Sequence, residues 1–247
     1  MLDVKTNNFR FHRSLMKSVD SNLTESFKTD FDYSFIISYS DFFDNDYQVI
    51  NKNALLIDLT KDIDIIFSKF SSTNRKQIRR SEKLEGLNFH IGIENFEKFY
   101  EFYSECEHDR NWLPIPKEEL IESKIIYATY NGIPISGMTS YIDGKYMRLG
   151  RIFSLKRSII MEQPNLIYGA SSKRIVYDFC KLAKEMGLIS LDLGGVDLDT
   201  ENKSGISEFK LSFGGELLPV KIGRYTKNGI PYDSLVKDFK LFGLDLT

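Results

Sequence analysis

In KIIYATYNGIPISGMTSYIDGKYMRLGRIF, residues 124–153, three runs rich in β-branched and aromatic residues are separated by Asn131-Gly132 and Asp143-Gly144. Both dipeptides suit two-residue hairpin turns, because their residues tolerate positive φ. The stretch is therefore predicted to form a three-stranded antiparallel meander. Downstream, Ile175, Val176, Phe179, Leu182, Ala183 and Met186 recur at helical spacing between Ser171 and Gly187, and LISLDLGG (188–195) reads as a strand. A strand, a crossover helix and a second strand imply a parallel pair beside the meander.

Upstream, Phe96, Phe99, Tyr100, Tyr103 and Cys106 make an aromatic stripe at three- and four-residue spacing, after a short apolar run, LNFHIGI (87–93). That is an amphipathic helix whose stripe packs on the core. IDIIFSKF (63–70) has helical spacing, and SSTNRKQIRRSEKLEG (71–86) reads as a further helix with Ser and Thr at its start and Gly86 as its stop. YSFIISYS from Tyr33 and NALLIDL from Asn53 read as strands. The expected organisation is a short N-terminal lead-in or subdomain, residues 1–54, and a main α/β (α+β) domain, residues 55–247, with a mixed sheet.

At 247 residues and 42% hydrophobic, the chain can bury a substantial core, and a net charge of -2 argues against coating DNA. No apolar run approaches the roughly 18 to 20 residues of a membrane span, and the polar start MLDVKTNNFRFHRS does not read as a secretory signal, so a cytoplasmic protein is expected. Cys106 and Cys180 lie in apolar helical patterns without metal-like spacing and are expected to be buried free thiols.

Chemistry concentrates in GGVDLDTENKSGISEFKLSFGGELLP (194–219), where two Gly-Gly pairs flank an acidic loop and Phe209-Lys210. Two apolar runs enclose it, so it lies between strands, where α/β proteins commonly keep their sites. Asp197, Asp199, Glu201 and Glu208 match four positions of a calcium-loop pattern, yet Asn202 stands where the turn glycine belongs and a strand precedes, so no metal is expected. Lys210 on a short helix could set its ammonium beside a developing oxyanion; taken alone it also fits a surface lysine. Arg75, Arg79 and Lys83, four residues apart, could meet an anion or form a solvated helix face. Asn165, Ser171 and Ser172, with Lys156, Arg157, Lys173 and Arg174 around them, could open a helix onto a phosphate, or simply cap it. Trp112 could line a pocket mouth or pack a helix end. With His12, His90 and His108 in unrelated contexts and no G-x-S-x-G or H-E-x-x-H motif, triad hydrolases and zinc proteases are not supported.

IRRSEKLEGL, the aromatic helix, YATYNGIPIS, NLIYGASSKRIVYDFCKLAKEMGL, LDLGGVD and GISEFKLSFGGEL occur in an order that resembles the FemAB-like branch of the GNAT acyltransferase superfamily, over roughly Leu55 to Tyr225. The group includes peptidoglycan bridge aminoacyltransferases and BioF2-like acetyltransferase domains. The resemblance implies a GNAT-like sheet whose parallel strands splay apart to admit an acyl donor. It implies transfer of an acyl or aminoacyl group to an amine, a small-molecule donor and acceptor, and oxyanion stabilisation by Lys210. Asp192, Asp197 and Tyr168 are candidate bases, and Gly194, Gly195, Asp197, Phe209 and Trp112 candidate substrate contacts. Gln163 is followed by PNLIYGA, with Leu166 where the first glycine of the coenzyme A pyrophosphate signature falls. The donor is thus open between acyl-coenzyme A and aminoacyl-tRNA, with no permanently bound cofactor; the acceptor could be an amino sugar or a cell-envelope precursor. A non-catalytic scaffold with the same fold is the alternative from another class, and the oligomeric state is open.

Overall fold

The computed structural model describes residues 2–5, 10–16, 19–39, 44–110, 115, 117–155, 164–198 and 205–227. In chain order these form β1 (Leu2–Lys5), β2 (Arg10–Met16), α1 (Ser21–Asp30), β3 (Tyr33–Ser38), β4 (Gln48–Asp58), α2 (Ile63–Lys69), α3 (Ser72–Ser81), β5 (Leu87–Ile91) and α4 (Phe96–His108). There follow α5 (Lys117–Glu122), β6 (Lys124–Tyr130), β7 (Ile133–Asp143), β8 (Tyr146–Ser154), α6 (Pro164–Glu185), β9 (Ser190–Val196), α7 (Gly205–Leu211) and β10 (Glu216–Thr226). All the described strands join one mixed sheet, in the order β1-β2-β3-β10-β4-β9-β8-β7-β6-β5.

The expected meander is β6-β7-β8, antiparallel throughout and turning at Asn131-Gly132 and, one residue later than the Asp143-Gly144 dipeptide suggests, at Gly144-Lys145, because Asp143 still pairs with Tyr146. Along β6 the pleat sends alternate side chains to opposite faces. Ile126 and Ala128 join the main core with Ile175, Val176, Phe179 and Ala183 of α6. Ile125 and Tyr127 meet the aromatic stripe of α4, where Phe99, Phe102 and Tyr103 surround Phe153. Both cysteines are buried free thiols, and burial raises the pKa of each.

The crossover through α6 makes β8 and β9 parallel, as expected, but their ladder is short. Tyr146 pairs with Ser190, Met147 with Leu191 and Arg148 with Asp192, and there the pairing stops. β8 runs on to Ser154 and β9 to Val196, so the strands diverge and leave a cleft inside the sheet. This is the splayed arrangement expected of the parallel pair.

Two helix bounds are corrected. α6 begins at Pro164 rather than near Ser171, because proline's fixed φ suits the first turn of a helix and its missing N–H costs nothing there. Its end is as expected: Gly187 and Leu188 donate to the carbonyls of Lys184 and Ala183 in a Schellman closure. α3 ends at Ser81, so Gly86 does not stop it; Gly86 instead lies before β5, its carbonyl accepting from the Asn131 N–H at 2.9 Å. Residue 54 lies within β4, and β10 is hydrogen-bonded between β3 and β4, antiparallel to both, so the described N-terminal strands continue the same sheet.

Candidate active site

Arg148 is the last residue of β8 to pair with β9, and alternation along YMRLGRIF puts Met147 in the core while Arg148 takes the opposite face, across from Tyr141. Its Nη1 forms an ion pair with Oδ2 of Asp192. The same oxygen accepts from the Tyr39 hydroxyl at 2.8 Å, and Oδ1 accepts from the Gly194 N–H at 2.6 Å. Asp192 is 0% exposed. A carboxylate removed from water in this way requires charged and hydrogen-bonding partners, and these three supply them. Burial and then the Asp192 charge hold the Tyr39 phenol far above its ordinary pKa, so it remains a donor.

β9 carries a bulge at this point. Ala54 faces Gly195 and Leu56 faces Asp192, which sets Leu193 and Gly194 opposite the single residue Leu55. Bulges bend a strand and re-aim its groups. Gly194 adopts φ +86°, which disfavours any residue with a Cβ. A Cβ built there would lie 3.3 Å from Nζ of Lys210 and 3.6 Å from Nη2 of Arg148, so two cations converge on the space beside this glycine.

Lys210 reaches the bulge from α7 and donates to the Gly195 carbonyl at 2.7 Å. Burial, reinforced by the Arg148 charge and opposed by Asp192, pushes its pKa down to about 8. At pH 7 the side chain is still mostly an ammonium, but one close to releasing its proton.

The other expected residues fall elsewhere. Asp197 is exposed just beyond β9, its N–H donating to the Ser207 hydroxyl at 3.1 Å. Phe209 packs on Phe213 and the main core, and Tyr168 is buried in that core. Ser171 is buried in the third turn of α6, bonded to Ser136 at 2.9 Å and to the Tyr168 carbonyl, so it does not cap the helix. Ser172 follows it inside the same helix. Lys173 leans on the Gly169 carbonyl, and Arg174 is engaged by Asp178 and Glu82. Arg75 donates to the carbonyls of Ser68 and Phe70 at the end of α2, and Arg79 lies over the Phe67 ring at 5.4 Å. Trp112, Lys156, Arg157, Asp199, Glu201 and the side chain of Asn165 lie outside the described residues. The second glycine pair is closely packed against α2 and β4. Gly214 has φ +65°, and a Cβ on it would lie 2.1 Å from the Lys69 carbonyl oxygen.

Lys210, Asp192, Gly194 and Gly195 are thus brought together, and Arg148 and Tyr39 join them unannounced. Arg148, set between Met147 and Leu149 in the largely apolar strand YMRLGRIF, was the available signal, since a buried charge needs a partner. Nothing local in YSFIISYS marks Tyr39.

No family model and no curated protein sequence matches the chain. Its fold is similar to that of FemX, at a TM-score of 0.60 and 12% identity over 96% of this chain and 85% of that one. It is also similar to L-PGS from Bacillus licheniformis, at 0.56 and 15% identity over 98% and 85% of the two chains. The C-terminal DUF2156 domain assigned to a lysylphosphatidylglycerol synthetase from Agrobacterium fabrum superposes at 0.61, with 13% identity over 92% and 80%. Identities this low establish a shared fold.

Proposed function

We propose that this chain is an N-acyltransferase acting where β8 and β9 part. The observation that carries the reading is the convergence of the Lys210 ammonium on the Gly194 bulge at the mouth of the splay. Beyond Arg148 and Asp192 the facing strand edges have no ladder to each other, so an extended acyl donor could hydrogen-bond to them as a strand would. The acceptor nitrogen attacks the thioester carbonyl carbon and a C–N bond forms while charge gathers on the oxygen. Lys210 faces that charge, a contribution of about 3 kcal/mol for a fixed donor. The C–S bond then breaks, and the thiolate leaves as the amine's proton passes to it or to solvent. Asp192, engaged by three donors, holds Arg148 and the bulge in place.

Native mass spectrometry of the purified protein with coenzyme A, a set of acyl-coenzyme A thioesters and bulk aminoacyl-tRNA tests the donor. A bound thioester is expected. Salt-sensitive binding of tRNA alone would replace this reading with aminoacyl transfer, which Lys76, Arg80 and Lys83 favour because they remain exposed around α3. The name of the lysylphosphatidylglycerol synthetase neighbour points the same way, to an aminoacyl group carried onto an envelope component. Binding of neither donor would favour a scaffold.

The role of Lys210 fixes the sign of a pH dependence. An oxyanion stabiliser must be protonated, so with an acceptor already neutral at pH 6, such as an aromatic amine, kcat is expected to fall as pH rises through about 8. A kcat that instead climbed through the same range would make neutral Lys210 a base and sink the assigned role.

A further inference from the structure

Arg148 is tied to Asp192 through Nη1, while its Nη2 points toward the space beside Gly194. Lys210 aims Nζ at the same space and gives one hydrogen to the Gly195 carbonyl, keeping two for another acceptor. Among the described residues, the carboxylate whose charge reaches Lys210 is Asp192, which takes Arg148 and Tyr39 on one oxygen and the Gly194 N–H on the other. Among the described residues two cations thus face one anion that already holds three donors, leaving about one positive charge over in a site where the Arg148 side chain is only 11% exposed. That surplus is present before any reaction begins; the Lys210 pKa is depressed first by burial and then by the Arg148 charge. The missing Cβ of Gly194 keeps the space clear.

We infer that the niche beside Gly194, lined by Arg148 Nη2 and Lys210 Nζ, binds an acid group of the substrate, a carboxylate or a phosphate. The inference rests on the acyl-transfer reading for the place and narrows it: the substrate that enters this cleft is an anion, with its acid group near the reacting carbonyl. One oxygen of such a group would meet Arg148 and another Lys210, in the charge-assisted pairing that guanidinium forms with oxyanions. A fully charged ligand cancels the surplus in the resting enzyme, which an oxyanion present only in the transition state does not.

The test needs no knowledge of the substrate and no turnover. Lys210 is labelled with acetic anhydride at pH 8, at constant ionic strength, and its modification is followed by peptide mass spectrometry in chloride, acetate and inorganic phosphate. In the wild type, phosphate, acetate or both are expected to slow Lys210 labelling by about fivefold or more, with a saturable dependence. Other exposed lysines in the same digest should be unaffected. Protection by phosphate alone assigns a phosphate-bearing substrate, and protection by acetate as well assigns a carboxylate. Arg148→Lys keeps a charge against Asp192 but lacks a second nitrogen for the ligand, and Gly194→Ala puts a methyl group into the niche; protection should vanish in both. The absence of protection by either ion in the wild type, or equal protection in both variants, would overturn the inference. Protection in a protein that transfers no acyl group would leave the anion site standing and remove only the chemistry.

Discussion

Replacing Lys210 with methionine lowers kcat about 10²- to 10³-fold, the usual effect of removing one oxyanion donor, and leaves the fold intact. The stability half of that expectation follows from linkage. Folding depresses the Lys210 pKa from 10.5 to about 8, so the folded state disfavours the ammonium. Below pH 8 the charged lysine therefore costs stability, and the cost is relieved as pH rises from about 8 toward 10.5, where the unfolded chain also gives up its proton. Lys210→Met should consequently melt at or above the wild-type temperature at pH 7, with the difference shrinking across that window. The carbonyl of Gly195, exposed at the cleft, turns to water when Nζ is lost. A variant with full activity would remove Lys210 from the chemistry, and one that unfolds would make it a structural residue.

Asp192→Asn has the opposite profile. It removes the charge that compensates buried Arg148, and breaking a buried pair from one side costs about 3–5 kcal/mol because the remaining ion stays desolvated. Denaturant unfolding is expected to show this loss whether or not activity survives. Adding Arg148→Met to Asp192→Asn should restore part of it, since the stranded charge is then gone. A general base would behave differently, losing turnover with little change in stability, and that result would overturn the positioning role given to Asp192.

The two expectations separate what could be read from the chain from what could not. The meander and the βαβ crossover were legible because their signals are local: Asn-Gly and Asp-Gly turns, and a 3.6-residue period closed by Gly187. The start of α6 was misread because two serines look like caps, whereas Pro164 was the truer sign. The place of β10 is nonlocal. Leu217 to Ile222 announce a strand, but which strands flank it depends on residues more than 150 positions away. Arg148 was equally hidden, since its significance depends on Asp192 lying opposite, on a strand reached only through α6. Lys210 was marked by family resemblance; its local sequence fits a solvated side chain as well as a catalytic one.

The insertion of β10 also bears on how the protein is made. β3 and β4 are synthesised early, yet each lacks its neighbour until residues 216–226 have emerged. Until then the growing chain carries two open edges rich in Ile, Leu and Phe, a template for pairing with other chains. Completion of the sheet is consequently a late event of high contact order, and a translational stall or chaperone hold before residue 216 would decide between a finished sheet and an aggregate.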